Sequence, residues 1–472
     1  MRSLFVYPLF MSVSTLSPFV QDTAASTQAR RHAVVLGGSI AGLLAARVLL
    51  DHFGQVTLLE RDQFPAQPAT RAGVPQGQHV HGLLLQGQQI LEQLFPGLIE
   101  DLTQAGAIPL DWIADWQFFS LEGWLEQHDS GLRGLCCSRL LLEWYLRQRL
   151  LNNDRFHLRP GCSAQGLVFQ SQPNPRITGV MLRSAADGPD QPSISADLVV
   201  DATGRHSKLP RWLAAAGYEK PPETQVNSFL GYASRWYRRP TDAIAKGVMI
   251  VAKPGESTRG GVLYPVEGDR WIVTLSGIAG DHPPADEAGF LAFAQSLRHP
   301  MLYDLLKISE PCSPIHCYRR TENQWRHYEQ LSATPRGVVA LGDAVCCFNP
   351  AYGQGMTAAA LGAMTLQRCL SKANQTPQPV DWEQRFQYQL AQTLNTPWLM
   401  ATGEDFRWPS TEGKRPVWLS RWLQGYFDRI LRLSLTSSEA HRAFIEVAHL
   451  VKPPIRLFTP TILWRALTEP LR

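Results

Sequence analysis

The sequence predicts an α/β fold with a parallel sheet, a second, antiparallel sheet and a helical C-terminal extension. Between Arg31 and Glu60, a strand, a glycine-rich turn, a helix and a second strand follow one another in the order of a βαβ unit. Aromatic and β-branched runs broken by Gly and Pro occupy residues 226–335 and are typical of antiparallel strands. In residues 376–472, Trp and Leu recur at helical spacing.

The composition excludes several classes of protein. The chain has 472 residues, of which 44% are hydrophobic and 18% are charged. This balance excludes a disordered, collagen-like or coiled-coil protein. Because 45 basic and 41 acidic residues leave a net charge of only +4, no nucleic-acid partner is expected. The eight Cys lack zinc-site spacing and predict buried thiols in a reducing compartment, with no metal site.

Residues 1–30 are predicted to lie outside the fold, as a leader or a disordered segment. Pro and Ser interrupt their apolar stretch, and a single Arg precedes it, which is little for a signal peptide. No other run reaches the roughly 18 uninterrupted apolar residues of a membrane-spanning helix. The protein is therefore expected in the cytoplasm, and any membrane contact would be peripheral and made by the C-terminal helices. The sequence gives no indication of oligomeric state.

The turn after the first predicted strand carries a dinucleotide fingerprint. Small residues stand where the backbone would approach a pyrophosphate, although Ser39 replaces the middle glycine. Glu60 ends the second strand roughly 20 residues later, where a carboxylate accepts both hydrogen bonds of an adenosine ribose. The alternative is a βαβ unit that binds no nucleotide. The predicted contact residues are Gly37, Gly38, Ser39, Ile40, Ala41, Gly42, Glu60 and Arg61.

Two further turns follow predicted buried strands. The Asp343 carboxylate would face the ribityl chain of a flavin, and glycines would let the next helix N-terminus approach the isoalloxazine carbonyls. Each turn alone could be an ordinary strand end, whereas three turns in this order indicate an FAD site. The predicted contacts are Asp201 and Gly204 in the second turn, and Asp343, Pro350, Gly353, Gly355 and Met356 in the third.

These motifs resemble those of the class A flavoprotein monooxygenases, which have the para-hydroxybenzoate hydroxylase fold. The resemblance covers residues 31–370 and implies a Rossmann-like FAD-binding domain with an antiparallel substrate domain. The FAD domain would comprise 31–110, 135–225 and 336–375, and the substrate domain 111–134 and 226–335. Residues 376–472 would be the helical extension. A helix with Ser138 as its N-cap is predicted over residues 138–151.

Residues 71–81 are similar to a segment that lies near the flavin in squalene-epoxidase-like enzymes of bacterial polyether pathways. The resemblance places Arg71, Gln76 and Arg139 at the cofactor. For Arg139 the alternatives are an internal ion pair or a solvated charge. His79 and His81 are two residues apart and share a face of an extended strand. They would contact the flavin, link to it covalently or anchor the loop.

The resemblance implies an FAD-dependent monooxygenase of secondary metabolism that inserts one oxygen atom from O2 into a small lipophilic substrate. The substrate would be an isoprenoid or a polyene, epoxidised or hydroxylated through a flavin C4a-hydroperoxide. Electrons would come from NAD(P)H or from a separate reductase. No catalytic side chain is predicted, because the cofactor supplies the chemistry. The alternatives are a flavin-dependent reductase of prenyl chains and a non-catalytic FAD-binding module.

Aromatic residues mark the presumed substrate side and the C-terminal extension. In the extension they alternate with Arg, which predicts either a cap over the substrate pocket or contact with an anionic membrane surface. In the substrate domain most should be sheet core, and some should line a pocket. The residues are Trp236, Tyr237, Tyr264, Trp271 and Phe290 in the substrate domain, and Trp398, Trp408, Trp418, Trp422, Tyr426, Phe427 and Trp464 in the extension.

Overall fold

The computed structural model of the chain describes residues 31–171, 175–183, 193–240, 246–375, 381–415 and 418–468. The predicted leader, residues 1–30, and the Trp418 side chain lie outside the described residues. The helices are α1 Ile40–Leu49, α2 Leu85–Leu94, α3 Leu98–Gln104, α4 Arg139–Leu151, α5 Leu209–Ala215, α6 Glu287–Gln295, α7 Met301–Lys307, α8 Gly355–Asn374, α9 Trp382–Asp405, α10 Trp418–Leu433, α11 Ser438–Ala448 and α12 Pro460–Thr468. The first ten strands are β1 His32–Leu36, β2 Gln55–Glu60, β3 Ile108–Asp111, β4 Trp116–Phe119, β5 Arg133–Cys136, β6 Phe156–Pro160, β7 Ala164–Gln170, β8 Arg176–Leu182, β9 Ser193–Ser195 and β10 Leu198–Asp201. The others are β11 Glu223–Asn227, β12 Gly231–Arg238, β13 Gly247–Ile250, β14 Arg259–Val266, β15 Arg270–Gly277, β16 His316–Tyr318, β17 Asn323–Arg326, β18 Val338–Ala340, β19 Cys346–Cys347 and β20 Glu412–Gly413.

A five-stranded parallel sheet in the order β18-β10-β1-β2-β6 draws its strands from three separated stretches of the chain. Apart from His32 and Asp201, β1 and β10 consist of Ala, Val and Leu with almost no exposed surface, as expected for parallel strands covered on both faces. Helices α1 and α8 pack in the same hydrophobic core. Because the strands are parallel, the turns after β1, β10 and β18 meet at one edge of the sheet. The α/β prediction is confirmed.

A six-stranded sheet in the order β16-β12-β15-β14-β13-β4 forms a second layer and is antiparallel except between β4 and β13. The structure adds two helices, α6 and α7, to a stretch from which the sequence predicts strands. They cover one face of this sheet, because an apolar sheet face must be buried against another element. Other strands lie outside this sheet. β3 and β5 pair with each other, and β11 and β17 belong to a smaller sheet with β19 and β20.

The C-terminal extension packs into the rest of the molecule. Helix α9 contributes Phe386 and Leu390 to the core of the parallel sheet, and α10–α12 form a small core of their own. The His449 ring lies at the start of α2, where Nδ1 accepts the Leu85 backbone N–H at 3.2 Å. No helix among the described residues has the length and apolar character needed to cross a membrane.

Candidate cofactor and substrate site

In the first turn, backbone atoms come so close to Gly37 and Gly42 that neither position has room for a side chain. Gly37 has φ +97°, and a Cβ there would lie 2.5 Å from the Ala202 carbonyl oxygen, at the neighbouring turn after β10. A Cβ on Gly42 would overlap the Gly37 carbonyl oxygen, so the first turn of α1 can pack on the end of β1 only without it. Both glycines are therefore required by packing, as the fingerprint predicts.

Ser39 precedes α1 without capping it through its side chain. Its hydroxyl donates to Glu143 Oε2 at 2.6 Å and accepts from Arg139 Nη2 at 2.7 Å. Arg139 Nε is buried and lies 3.8 Å from Glu143 Oε2, so Arg139 forms an internal ion pair, but Nε makes no hydrogen bond to any described residue. An uncapped helix N-terminus beside a cation with an unused N–H donor fits an anionic group such as a pyrophosphate.

Arg71 connects three carboxylates beside this turn. Its guanidinium lies 3.0 Å from Glu60, 3.1 Å from Asp62 and 2.9 Å from Glu143, with only 6% of the side chain exposed. Burial lowers the pKa of Arg71, but Glu143 and Glu60 outweigh it and raise the pKa above its ordinary value. Glu60 also accepts the Gly38 backbone N–H at 2.8 Å, which holds the carboxylate at the turn.

Helix α4 forms one wall of this region. It begins after Ser138, whose hydroxyl accepts the Leu141 N–H at 3.1 Å, and this confirms the predicted cap. Sequence reasoning missed Glu143, although its position four residues after Arg139 on the same helix face was a usable signal. Arg61 was included in the predicted site, but its side chain is 65% exposed and lies near Asp62 on the surface.

The second turn is organised by Asp201, which is fully buried. Its carboxylate accepts from the Thr203 backbone N–H at 3.0 Å and from the hydroxyls of Thr203 and Ser207. These bonds hold Gly204 at φ +79° beside Asp343. The geometry gives Asp201 a supporting place in the turn, and a direct cofactor contact stays a prediction.

The third turn presents Asp343, which is exposed to solvent although many protein atoms surround its carboxylate. Burial raises the pKa of Asp343, while Arg205 and Arg139 act in the opposite direction. Arg139 donates a hydrogen bond to Ser39 in the first turn and its charge also acts on Asp343 in the third turn. This shared residue indicates that the two turns lie close together. A Cβ on Gly342 would lie 2.6 Å from the Ala41 Cβ, which brings the first and third turns into contact.

The start of α8 fits a flat, carbonyl-bearing group. Gly353 has φ +64°, and no side chain caps the helix. A Cβ on Gly355 would have no other atom within 4 Å, so the bare backbone faces open space. Gln354 Oε1 and Thr357 Oγ1 are buried without a hydrogen bond to any described residue.

The other predicted contacts are Ile40 at the start of α1, Gln76 in the short turn Pro75–Gln78, Pro350 just before Gly353, and Met356 in α8.

The six-stranded sheet turns its second face towards these turns. The register aligns one residue from each strand in a row, and all of them except the buried Ser234 are partly exposed. Their neighbours on the other face, such as Val248 and Val273, are fully buried. The row is therefore partly accessible, and it runs from apolar to polar. Its apolar end also packs against a cluster that includes Phe444 and Ile445 of α11. Its members are Phe118, Met249, Val262, Thr274, Ser234 and His316.

His79 docks on the polar end of this row. Its Nδ1 lies 2.8 Å from Ser234 Oγ, which lies 2.5 Å from Thr274 Oγ1. Burial lowers the pKa of His79 to about 4, so the ring is neutral. His81 Nδ1 donates to the His79 carbonyl at 3.0 Å, and burial and the Arg139 charge lower its pKa to about 3. His79 thus anchors the segment, as the loop-anchor interpretation predicts.

The sheet aromatics divide between the two faces. Tyr237 and Trp271 lie in the core beneath α6 and α7, and Phe290, which belongs to α6 and not to the sheet, packs in the same core. Trp236 and Tyr264 lie on the face that borders the cofactor turns, within a cluster that includes Trp112 and Trp116. Because alternate residues of a strand face opposite sides, the register alone separates the two groups.

Comparison with solved structures identifies the fold. The flavin-dependent brominase Bmp2 has a TM-score of 0.61 at 13% identity, over 88% of this chain and 98% of that chain. PqsL of Pseudomonas aeruginosa, a probable FAD-dependent monooxygenase, has a TM-score of 0.57 at 16% identity, over 80% and 98%. A flavoprotein/dehydrogenase from Cytophaga hutchinsonii has a TM-score of 0.62 at 16% identity, over 92% and 95%. The fold is that of FAD-binding, Rossmann-like enzymes.

Comparison of sequences identifies a relative. No family model matches the chain. Protein Rv3254 of Mycobacterium tuberculosis is 35% identical over 454 residues, which cover 93% of this chain and 94% of that protein. This identity extends over almost the whole length of both proteins. The chain therefore belongs to the family of Protein Rv3254, and it has the fold of the flavin-dependent enzymes.

Proposed function

We propose that the chain is an FAD-dependent monooxygenase. The observation that carries the proposal is the convergence of the three turns at one sheet edge, beside the partly exposed row of the six-stranded sheet. A bound flavin would supply electron transfer and O2 activation. The similarity in fold to monooxygenases and halogenases supports this choice. The Trp-x-Trp-x-Ile-Pro motif of halogenases is missing from the sequence, which favours a monooxygenase over a halogenase.

The chain's own residues would hold and orient the cofactor. Arg139 and the α1 N-terminus would bind the pyrophosphate, and Glu60 would accept the ribose hydroxyls. Asp343 would bind the ribityl chain. The backbone N–H groups at the start of α8 would face the isoalloxazine carbonyls, where the helix dipole stabilises negative charge. Each residue holds a group in place, and none needs to transfer a proton.

The sheet row supports a lipophilic substrate. Phe118, Met249 and Val262 offer an apolar surface without charge, and the neutral His79 ring faces the polar end. An isoprenoid or polyene would therefore lie along the row with its least polar part towards Phe118. Epoxidation or hydroxylation would follow, with the protein excluding water from the reacting carbon. This is the chemistry of the squalene-epoxidase-like branch.

Flavin binding and oxygen transfer test the proposal together. The purified protein should bind FAD, and under 18O2 with polyene or isoprenoid substrates it should form product that contains one 18O atom. Supplying electrons either as NAD(P)H or as chemically reduced FAD separates a direct donor from a separate reductase. Asp343→Asn should weaken FAD binding ~10-fold, because the hydroxyls of the ribityl chain lose a charged acceptor.

The exposed Asp154→Asn variant is the matched control and should bind FAD normally. A protein that binds no FAD would contradict the proposal. FAD that is reduced but transfers no oxygen to any substrate would favour the reductase of prenyl chains. FAD that binds without redox activity would favour the non-catalytic module.

We further propose that the C-terminal extension contacts an anionic lipid surface, from which a lipophilic substrate would enter. Trp422, Ile455 and Trp464 are 55%, 70% and 71% exposed, so the extension presents several large apolar side chains to solvent. Residues 447–468 contain basic residues and no Asp or Glu. Apolar side chains beside positive charge are typical of interfacial helices.

Sedimentation with vesicles tests this contact. The protein should sediment with phosphatidylglycerol vesicles and less with phosphatidylcholine vesicles, because the latter lack net charge. Ile455→Ser with Trp464→Ser should reduce sedimentation several-fold, since less apolar surface is buried in the bilayer. Ile308→Ser removes an equally exposed side chain (67%) outside the extension and should have no effect. Equal sedimentation of both variants would refute the contact.

A further inference from the structure

The end of α9 places a buried carboxylate beneath the turn that leads to α8. Asp405 is the last residue of α9 and is fully buried. Its Oδ1 accepts from Asn349 Nδ2 and from the Tyr352 hydroxyl, both at 2.8 Å. Its Oδ2 accepts from Asn323 Nδ2 at 2.5 Å. Within the described residues no cation pairs with this carboxylate, so neutral donors alone offset its charge.

The donors tie the carboxylate to both ends of the turn. Asn349 opens it, with Oδ1 accepting the Ala351 N–H at 3.0 Å, and its own backbone N–H donates to Asn323 Oδ1 at 2.7 Å. Tyr352 closes the turn and directly precedes Gly353. The carboxylate of Asp405 therefore holds the backbone that leads into the open N-terminus of α8.

Burying this carboxylate lowers the stability of the fold, which suggests that the charge serves another purpose. A buried carboxylate without a cation loses its hydration, and neutral hydrogen bonds compensate for only part of the loss. Burial raises the pKa of Asp405 to about 6, while the hydrogen bonds from Tyr352, Asn323, Ser228 and Asn349 act in the opposite direction. Only the ionised carboxylate can accept hydrogen bonds from all of these donors. Asp405 belongs neither to the pyrophosphate site nor to the sheet row.

We propose that Asp405 is a positioning residue for the flavin, acting through Asn349 and Tyr352 to set how closely the start of α8 approaches the isoalloxazine. The C-terminal extension is then part of the cofactor site. The inference rests on the proposed function, because it requires that FAD binds at these turns.

The variant Asp405→Asn tests the inference at nearly constant volume. Its amide N–H would face donors, so the turn should shift, FAD binding should weaken ~10-fold and the flavin midpoint potential and absorbance maximum should move. Glu404→Gln is the matched control. Glu404 is the preceding residue and pairs with Arg407 at 2.7 Å, outside the turn. This variant should lose stability and keep the wild-type potential and spectrum.

The double variant Asn349→Asp with Asp405→Asn exchanges donor and acceptor, and it should recover most of the FAD affinity. If the single variant fails to fold, the double variant still tests whether Asp405 positions the turn. Wild-type affinity and potential in Asp405→Asn, or no recovery in a folded double variant, would overturn the inference. A wild-type protein that binds no FAD would overturn the proposed function as well, so the two failures are distinguishable.

Discussion

Replacing Gly42 by Ala is expected to destabilise the protein by about 3 kcal/mol or more and to abolish FAD binding. The added Cβ would overlap the Gly37 carbonyl oxygen, which belongs to backbone and cannot rotate away. Relief requires α1 to move from β1, and both elements are fully packed in the core of the parallel sheet. Overpacking of a rigid core costs roughly 1–3 kcal/mol, and more where only backbone can move. Urea unfolding and FAD titration measure the two effects.

Gly425→Ala is the matched control for this prediction. Gly425 lies inside α10, and a Cβ there would have no other atom within 4 Å. Ala is about 1 kcal/mol more favourable than Gly in a helix interior, so this variant should gain stability. The same chemical change would then have opposite signs at two positions. A Gly42→Ala protein with normal unfolding and normal FAD affinity would show that the turn tolerates a side chain, against the close approach described above.

Acidification from pH 7 to pH 5 is expected to reduce the free energy of unfolding through buried neutral histidines. Burial lowers the pKa of His79 and His441 to about 4 and that of His449 to about 3, from an ordinary 6.5. The unfolded chain therefore binds more protons than the folded one below pH 6.5. Stability is lost as the pH falls from 6.5 towards the folded-state values, on the order of 2 kcal/mol per histidine at pH 5.

His449→Asn isolates one of these contributions. The Asn oxygen can take the place of Nδ1 and accept the Leu85 N–H, which the structure places at 3.2 Å, and it cannot be protonated. The loss of stability between pH 7 and pH 5, measured by urea unfolding, should shrink by roughly 2 kcal/mol. The exposed His157→Asn variant should leave the loss unchanged. An unaltered pH dependence in His449→Asn would mean that His449 does not govern it.

Part of the candidate site could be predicted from local sequence because its signals are local. Gly37 and Gly42 are required by a turn of six residues, and the strand and helix around them follow from apolar runs and helix-forming residues. The Ser138 cap likewise depends on a hydroxyl three residues before the N–H that it accepts from. Turns that follow buried parallel strands must meet at one edge, so three motifs were enough to predict one site.

Other features depend on contacts between residues far apart in the chain. Glu143 reaches Arg71 and Ser39, and Asp405 reaches Asn349, across separations that no sequence pattern encodes. Arg61 stands beside Glu60 in the sequence, yet alternation along the strand end turns it to the surface. The register that separates Tyr264 from Trp271 onto opposite sheet faces also depends on strand pairing.

The sequence by itself determined the α/β class, the three glycine-rich turns and the helical nature of the extension, because each depends on residues within about one turn or strand of each other. Tertiary structure decided which charges meet, which side chains of the sheet stay partly exposed, and that the extension supplies Asp405 to the turn before α8. Pairing and burial are properties of the packed chain, so they become visible only when its distant segments are brought together.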